Sequence, residues 1–274
     1  MASDPISTPT RPNHSLPLPL RDRVAIVTGS SRGIGRAIAL HLASLGAKLV
    51  VNYISNSSEA NSVVSHINTN YCSGSETPRA IAVQADVSDP NQVKSLFDNA
   101  LQAFNSHPYI LVNSAGVGDP TNLPLAKASV EHFDKIFSVN CRGTFICCRE
   151  AANRLQHGGG GRIITVSSSA VKAVIPGLGA YAASKAAVET MTKILAKELK
   201  GTKITVNCVS PGPVATDMFF AGIREEEVKM VIEECPMGRL GETRDVAHVV
   251  GFLASDSGEW INGQVIQVNG GIFA

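Results

Sequence analysis

Tyr181 and Lys185 stand four positions apart in Tyr181-Ala-Ala-Ser-Lys185, at the head of a run of helix formers that reaches about Lys200-Gly201. On a helix, positions i and i+4 share a face, so a phenol and an ammonium lie together. A phenol has a pKa near 10 in water, and an adjacent cation is expected to make it more acidic. Such a group can give a proton to a carbonyl oxygen or take it back. Ser168 comes thirteen positions earlier, in Ser167-Ser168-Ser169, just past the β-branched run Arg162–Val166. Its hydroxyl can donate a hydrogen bond to the same oxygen. The pattern also fits an amphipathic helix with a surface lysine.

A second stretch offers different chemistry. The apolar run Val24–Val27 leads into Thr28-Gly29-Ser30-Ser31-Arg32-Gly33-Ile34-Gly35, after which apolar residues take helical spacing at Ile34, Ala37, Ile38, Leu42 and Leu45. A strand, a tight turn and a helix start present backbone N–H groups to a pyrophosphate. Gly29, Gly33 and Gly35 allow backbone conformations and close approaches that a Cβ forbids. An ordinary strand-to-helix turn has the same outline. In a dinucleotide fold, an acid at the end of the next strand binds the adenosine ribose. Residues 48–57 contain no acid; their polar groups near the strand end are Asn52, Tyr53, Ser55, Asn56 and Ser57. With Arg32 as the nearby cation, this composition favours a 2′-phosphate, hence NADPH/NADP+ over NAD(H).

Other elements must position these residues. A helix is expected over 57–70 and a third strand over 80–87, ending in Asp86 and Val87. Asp86 can bind an adenine amino group, with the Val87 N–H beside it, or belong with Ser88-Asp89 to a helix cap. A fourth strand, 110–113, leaves through Asn113-Ser114-Ala115-Gly116, whose small residues let backbone lie beside a flat cofactor. One helix is expected from Val130 to the glycines at 158–161. It carries Asn140, an amide among core residues that by itself reads as a satisfier of stray backbone groups. A sixth strand follows over 203–209, then short helices over 217–235, a helix over 242–254 and a seventh strand over 263–268.

Bulk properties narrow the function. The chain has 274 residues and a net charge of +1, with no basic block to grip nucleic acid and no apolar run long enough to span a membrane. Six cysteines lack metal-type pairing and seven histidines are scattered, so no metal site is expected. Residues 1–20, rich in Pro, Ser and Thr, read as a flexible arm; a cytoplasmic location is favoured over a plastid one.

Thr28-Gly-x-x-x-Gly-x-Gly35, Asn113-Ser-Ala-Gly116, Asn140, Ser168, Tyr181-x-x-x-Lys185 and Pro211-Gly212 occur in this order. By these motifs the chain resembles the short-chain dehydrogenases/reductases, from about Leu20 to Ile272. Within them it looks most like the plant NADPH-dependent aldehyde reductase-like proteins. The family's usual Asn-Asn-Ala-Gly is here Asn-Ser-Ala-Gly. The resemblance implies an α/β, single-domain Rossmann fold over 21–274, with a doubly wound, seven-stranded parallel sheet of order 3-2-1-4-5-6-7. A substrate lid is implied at about 214–238.

It further implies Ser168, Tyr181, Lys185 and Asn140 as the catalytic set. Asn140 would hold a water for proton resupply, and Lys185 would bind the nicotinamide ribose. Cofactor contacts fall to Gly29, Ser31, Arg32, Gly33, Ile34, Gly35, Asn52, Tyr53, Ser55, Asp86, Val87, Asn113, Ala115, Gly116, Pro211, Gly212, Val214 and Thr216. The substrate pocket falls to Val117, Gly118, Ser169, Val171, Leu178, Met218 and Phe219. The implied activity is NADPH-dependent reduction of an aldehyde or ketone. A 3-oxoacyl thioester reductase is the alternative, which a basic patch for an acyl carrier would favour; Arg142, Arg149 and Arg154 on one helix offer one, though they read more readily as a solvated face. A non-catalytic NADP-binding scaffold or sensor is the other. A homo-oligomer, tetramer or dimer, packed along the Asn140 and Tyr181 helices completes the expectation.

Overall fold

The structure, a computed structural model, describes residues 18–71 and 77–273. Most of the expected arm, 1–17, and the loop 72–76 lie outside the described residues. Leu20, assigned to that arm, is completely buried and its N–H donates to Leu45 O at 2.9 Å. The packed fold therefore already includes it.

Seven parallel strands form one sheet of order β3-β2-β1-β4-β5-β6-β7. They are β1 (Val24–Val27), β2 (Lys48–Tyr53), β3 (Ala80–Gln84), β4 (Ile110–Asn113), β5 (Arg162–Val166), β6 (Thr205–Pro211) and β7 (Val265–Val268). The central strands are apolar on both faces because helices cover both. Ala25 and Val27 pack, with Leu49, Val51 and Val112, under α1 (Gly33–Ser44) and α2 (Ser57–Tyr71). Val24, Ile26 and Leu111 pack on the other face under α3 (Pro90–Phe104). β1 pairs with β2 on one side and β4 on the other. The chain therefore leaves β1 in both directions, and a crevice opens at the strands' carboxyl ends there.

Several boundaries differ from expectation, each for a local reason. β3 stops at Gln84, not Val87, because its neighbour β2 ends at Tyr53, the register partner of Gln84. β6 starts at Thr205 because Lys203 is left-handed, at φ 62°. It runs on to Pro211, which pairs with Val268. Gly263, at φ 70°, keeps β7 from starting before Val265. The single helix expected from Val130 is three pieces. α4 (Val130–Phe137) passes through a π-helical turn (Ser138–Gly143) into α5 (Thr144–Arg154). Wider turns of this kind gather at functional sites, and this one contains Asn140.

The remaining helices are α6 (Ala170–Ala173), the long α7 (Gly179–Glu198), α8 (Asp217–Phe220), α9 (Glu225–Glu234) and α10 (Thr243–Ala254). α8 and α9 fall within 214–238, the stretch expected to act as a lid. Val246, Val250 and Leu253 of α10 join the core beneath α1.

Candidate active site

β5 ends at Val166 and releases Ser167, Ser168 and Ser169 at the carboxyl edge of the sheet. α7 runs beside it and delivers Tyr181 and Lys185. The Lys185 ammonium donates to Val166 O at 2.9 Å, so the lysine is fastened to the strand that carries Ser168. The Ser167 hydroxyl reinforces this join from the other side, donating to Glu189 Oε1 at 2.8 Å and approaching Lys185 O at 3.3 Å.

Asn140 closes the group from the π-helical turn. Its Oδ1 accepts the Val117 N–H at 2.8 Å, and its Nδ2 donates to Val117 O at 3.0 Å and to Ser184 Oγ at 3.1 Å. Ser184 in turn donates to Tyr181 O at 2.7 Å. The Asn140 side chain thus ties the β4 exit to the first turn of α7. Ser184 stands in an unspecified position of Tyr-x-x-x-Lys and gave no sequence signal.

Electrostatics correct one expectation. The phenol is not acidified: burial pushes Tyr181 above its ordinary value, and the Ser168 hydroxyl opposes this only in part. The ammonium is turned toward Val166 O, 5.9 Å from the phenol ring centre. Burial brings Lys185 down to about 8. At neutral pH the pair is a protonated phenol beside a cation. Nearby thiols are inert, since burial pushes Cys148 up to about 12 and Cys208 up to about 11. Among the described residues no three His, Cys, Asp or Glu side chains group to hold a metal.

The glycine turn lies at the β1 end of the same edge. Gly29 and Gly33 have φ of +61° and +56°. A Cβ on Gly35 would run into Gly29 O, and one on Gly29 would sit 2.8 Å from Ala115 Cα. Across an open slot from Gly33 lies Thr216, at the root of α8, its Cγ2 3.8 Å from where a Cβ would be. The first turn of α1 has no side-chain cap and no acid. By contrast, Asp89 caps α3 and Ser129 caps α4. Bare helix amides beside a glycine cradle fit a dinucleotide pyrophosphate. Thr28 Oγ1 fixes the other wall, accepting the N–H groups of Ser114 and Ala115 at 3.1 and 3.0 Å.

The other predicted cofactor residues divide into those that face the edge and those already engaged. Asn52 is buried, with Oδ1 on the Gly29 N–H at 3.0 Å and Nδ2 on Ala85 O at 3.0 Å and Val83 O at 3.3 Å. It shapes the turn from beneath and has no polar atom left for a phosphate, contrary to expectation. Tyr53 is half-buried, and Ser55 and Arg32 are exposed. Arg32 reaches Asp217 of the lid only at 3.9 Å. Asp86 Oδ1 accepts the N–H and hydroxyl of Ser88, both at 2.8 Å, while Asp89 alone caps α3. Val87 is buried, and Asn113 donates to Cys148 Sγ at 3.2 Å. Val214 is buried and bridges to Gly241.

Of the predicted pocket residues, Val117, Val171, Leu178 and Phe219 are half-buried and Met218 is half-exposed. Ser169 differs: it is buried with its N–H on Pro211 O, so it supports the site from below. Behind the lid, an apolar cavity of about 280 Å³ is lined by Val231, Cys235, Leu240, Val246 and Ile272 among others, and by none of the catalytic set. Missed by sequence reasoning was a pair 3.0 Å apart, the buried Asp119 on the β4 exit loop and the half-buried His132 of α4.

A doubly wound sheet with a glycine cradle at one end of the crevice and a Ser-Tyr-Lys-Asn group at the other defines a class. The chain belongs to the short-chain dehydrogenase/reductase family, and is an oxidoreductase. Residues 29–272 match the family described as enoyl-(acyl carrier protein) reductase. Two Arabidopsis thaliana proteins are 62% identical to it. One is named NADPH-dependent aldehyde reductase-like protein, chloroplastic; 258 residues align, 93% of this chain and 96% of that protein. The other is NADPH-dependent aldehyde reductase 2, chloroplastic; 261 residues align, 94% of this chain and 96% of that protein. A solved short-chain dehydrogenase from Burkholderia cenocepacia, in complex with NADP, matches at a TM-score of 0.84 and 35% identity, over 93% of this chain and 100% of that one.

Proposed function

We propose that this protein is a carbonyl reductase, converting an aldehyde or ketone of moderate size to the alcohol. Its cofactor is NADPH/NADP+. The observation that carries the reading is the Tyr181 phenol, held protonated by burial beside Ser168 and Lys185. NADPH, when bound, supplies the hydride. Tyr181 gives its proton to the carbonyl oxygen as the new C–H bond forms, and Ser168 donates a hydrogen bond to that oxygen. Lys185, ammonium at neutral pH, supports the phenolate left behind. Asn140 holds Val117 and α7 in register, so the proton donor and the substrate wall keep one geometry. Gly29, Gly33, Gly35 and the bare amides of α1 would hold the pyrophosphate, with Arg32, Ser31, Tyr53 and Ser55 toward a 2′-phosphate. Asp86 and Val87 would face adenine, and Val214 and Thr216 the nicotinamide carboxamide.

The second reading is the 3-oxoacyl thioester reductase; the matched family's description shares with it the acyl carrier, not the reaction, since an enoyl reductase reduces a C=C bond. Two of the three arginines of its docking patch are already engaged. Arg142 donates to Ser88 O at 2.6 Å, and Arg154 pairs with Asp98 at 2.7 Å and Glu150 at 3.0 Å. An NADPH-consumption screen over aliphatic aldehydes, aromatic aldehydes, cyclic ketones and acetoacetyl thioesters separates the two. Turnover of thioesters alone overturns the carbonyl reading, and binding of NADPH with no turnover points to a scaffold.

A homo-oligomer packed along α4, α5 and α7 suits the half-exposed Phe133, Phe145 and Ile194 on those helices; a monomer in light scattering refutes it. Both Arabidopsis relatives are named chloroplastic, and the Ser-, Thr- and Pro-rich first twenty residues suit a transit segment. We therefore place the protein in the plastid in preference to the cytoplasm, which a fluorescent fusion of the full chain tests.

A further inference from the structure

The loop that leaves β4, residues 117–122, carries a buried carboxylate that proton transfer does not use. The Asp119 side chain is 2% exposed. Its Oδ1 accepts the Thr121 N–H at 3.2 Å and the Thr121 hydroxyl at 2.5 Å. Its Oδ2 lies 3.0 Å from Nε2 of His132, in the first turn of α4. The contact is angled, and Nε2 has no straighter partner among the described residues. Burial pushes the Asp119 carboxyl up, but the Thr121 and His132 donors prevail and hold it below its ordinary range. His132 is itself fixed, because its N–H donates to the Ser129 cap at 3.1 Å. A buried charge without partners is strongly disfavoured, so the loop and α4 hold each other in place.

The loop has a second tether from the same helical stretch: Asn140 grips Val117 at its inner end. The outer half, around Asp119, meets the lid. A Cβ at Gly118 would lie 3.1 Å from Met218 Cγ, and one at Gly222 would lie 2.5 Å from Pro120 O. The segment between the two tethers is therefore the surface on which the lid rests.

We propose that His132 and Asp119 are positioning residues for the carbonyl substrate. Together they fix the outer half of the 117–122 loop against α8, and so set KM, while Asn140 fixes the inner half for catalysis. The proposal rests on the carbonyl-reductase reading.

The test uses His132→Ala, Asp119→Ala, the double variant and His132→Gln, whose amide still offers a donor. Hexanal and benzaldehyde serve as substrates at saturating NADPH, and NADPH affinity is read by fluorescence. Hydrogen exchange of the NADPH-bound protein is compared at 117–122 and 217–222. Losing one buried, charge-assisted contact is expected to raise KM about tenfold in each alanine variant, with kcat changed less than about threefold. NADPH affinity stays at the wild-type value, exchange quickens at both segments, and His132→Gln recovers most of the KM. The double variant is no worse than Asp119→Ala, which already removes the His132 contact along with those to Thr121. Unchanged KM overturns the proposal, as does a parallel loss of NADPH affinity, kcat and KM, the mark of general disruption. If the wild-type protein reduces no carbonyl, the reductase reading fails instead. Exchange then decides the tether alone, and unchanged exchange in His132→Ala refutes it.

Discussion

The cofactor side and the substrate side of this crevice are built differently. The glycine turn is one contiguous stretch, Thr28 to Gly35, held by Asn52 from beneath and by the β4 exit at Ser114 and Ala115. Its helix starts without a side-chain cap or an acid, whereas α3 and α4 start with Asp89 and Ser129 on their amides. The substrate rim joins segments far apart in the chain: the 117–122 loop, the start of α4, the π-helical turn and the lid. The contrast teaches that a rim held by side-chain tethers can be reshaped without disturbing a cradle made of backbone. Substrate choice can then vary while cofactor choice stays.

Five substitutions and one titration put this separation at risk. The largest effect is expected from Tyr181→Phe, which removes the transferable proton and keeps the packing. Turnover falls by about 10² to 10⁴, while NADPH binding by fluorescence stays as it was. Substantial reductase activity in this variant refutes the assigned acid.

Gly35→Ala breaks the cradle instead, since its Cβ meets Gly29 O. Losing one or two hydrogen bonds to a charged ligand weakens NADPH binding by about 10- to 100-fold. Hydrogen exchange at the substrate rim should not change. Faster exchange there would show that the two sides are coupled.

Lys185 is proposed for both sides, and its titration tests that. With its pKa lowered to about 8, the side chain is ammonium below that pH and neutral amine above it. NADPH affinity is therefore highest below pH 8 and weakens as the pH rises through it, by up to about tenfold per unit. Lys185→Met flattens the profile. A flat profile in the unmodified protein contradicts the role.

Arg32→Ala shifts preference from NADPH toward NADH by about tenfold, the size of one charge-assisted contact. Asn52→Asp, which by sequence alone would recruit NADH, acts otherwise. It replaces the Nδ2 donor to Ala85 O and Val83 O with a carboxylate, so it costs about 1–3 kcal/mol of stability. Thermal melting reads that loss, and an unchanged melt with a switch to NADH would return Asn52 to the phosphate site.

Local sequence carried whatever depends on short spacing and on residue type. The apolar run of β1, the Gly29 to Gly35 turn and the i, i+4 pair Tyr181 and Lys185 were legible because a strand, a turn and a helix are each fixed by a few adjacent residues. The order of the sheet came with the family resemblance, and the strand pairings agree with it. Tertiary structure decided the rest. Asn52 reads in sequence as a polar group for the 2′-phosphate, yet register places it under the glycine turn. The shift of the Tyr181 phenol follows burial rather than the lysine one turn away, because desolvation depends on everything packed around a group. Asp119 and His132 lie thirteen positions apart with no periodicity linking them, and only the fold of the β4 exit onto α4 brings their side chains together.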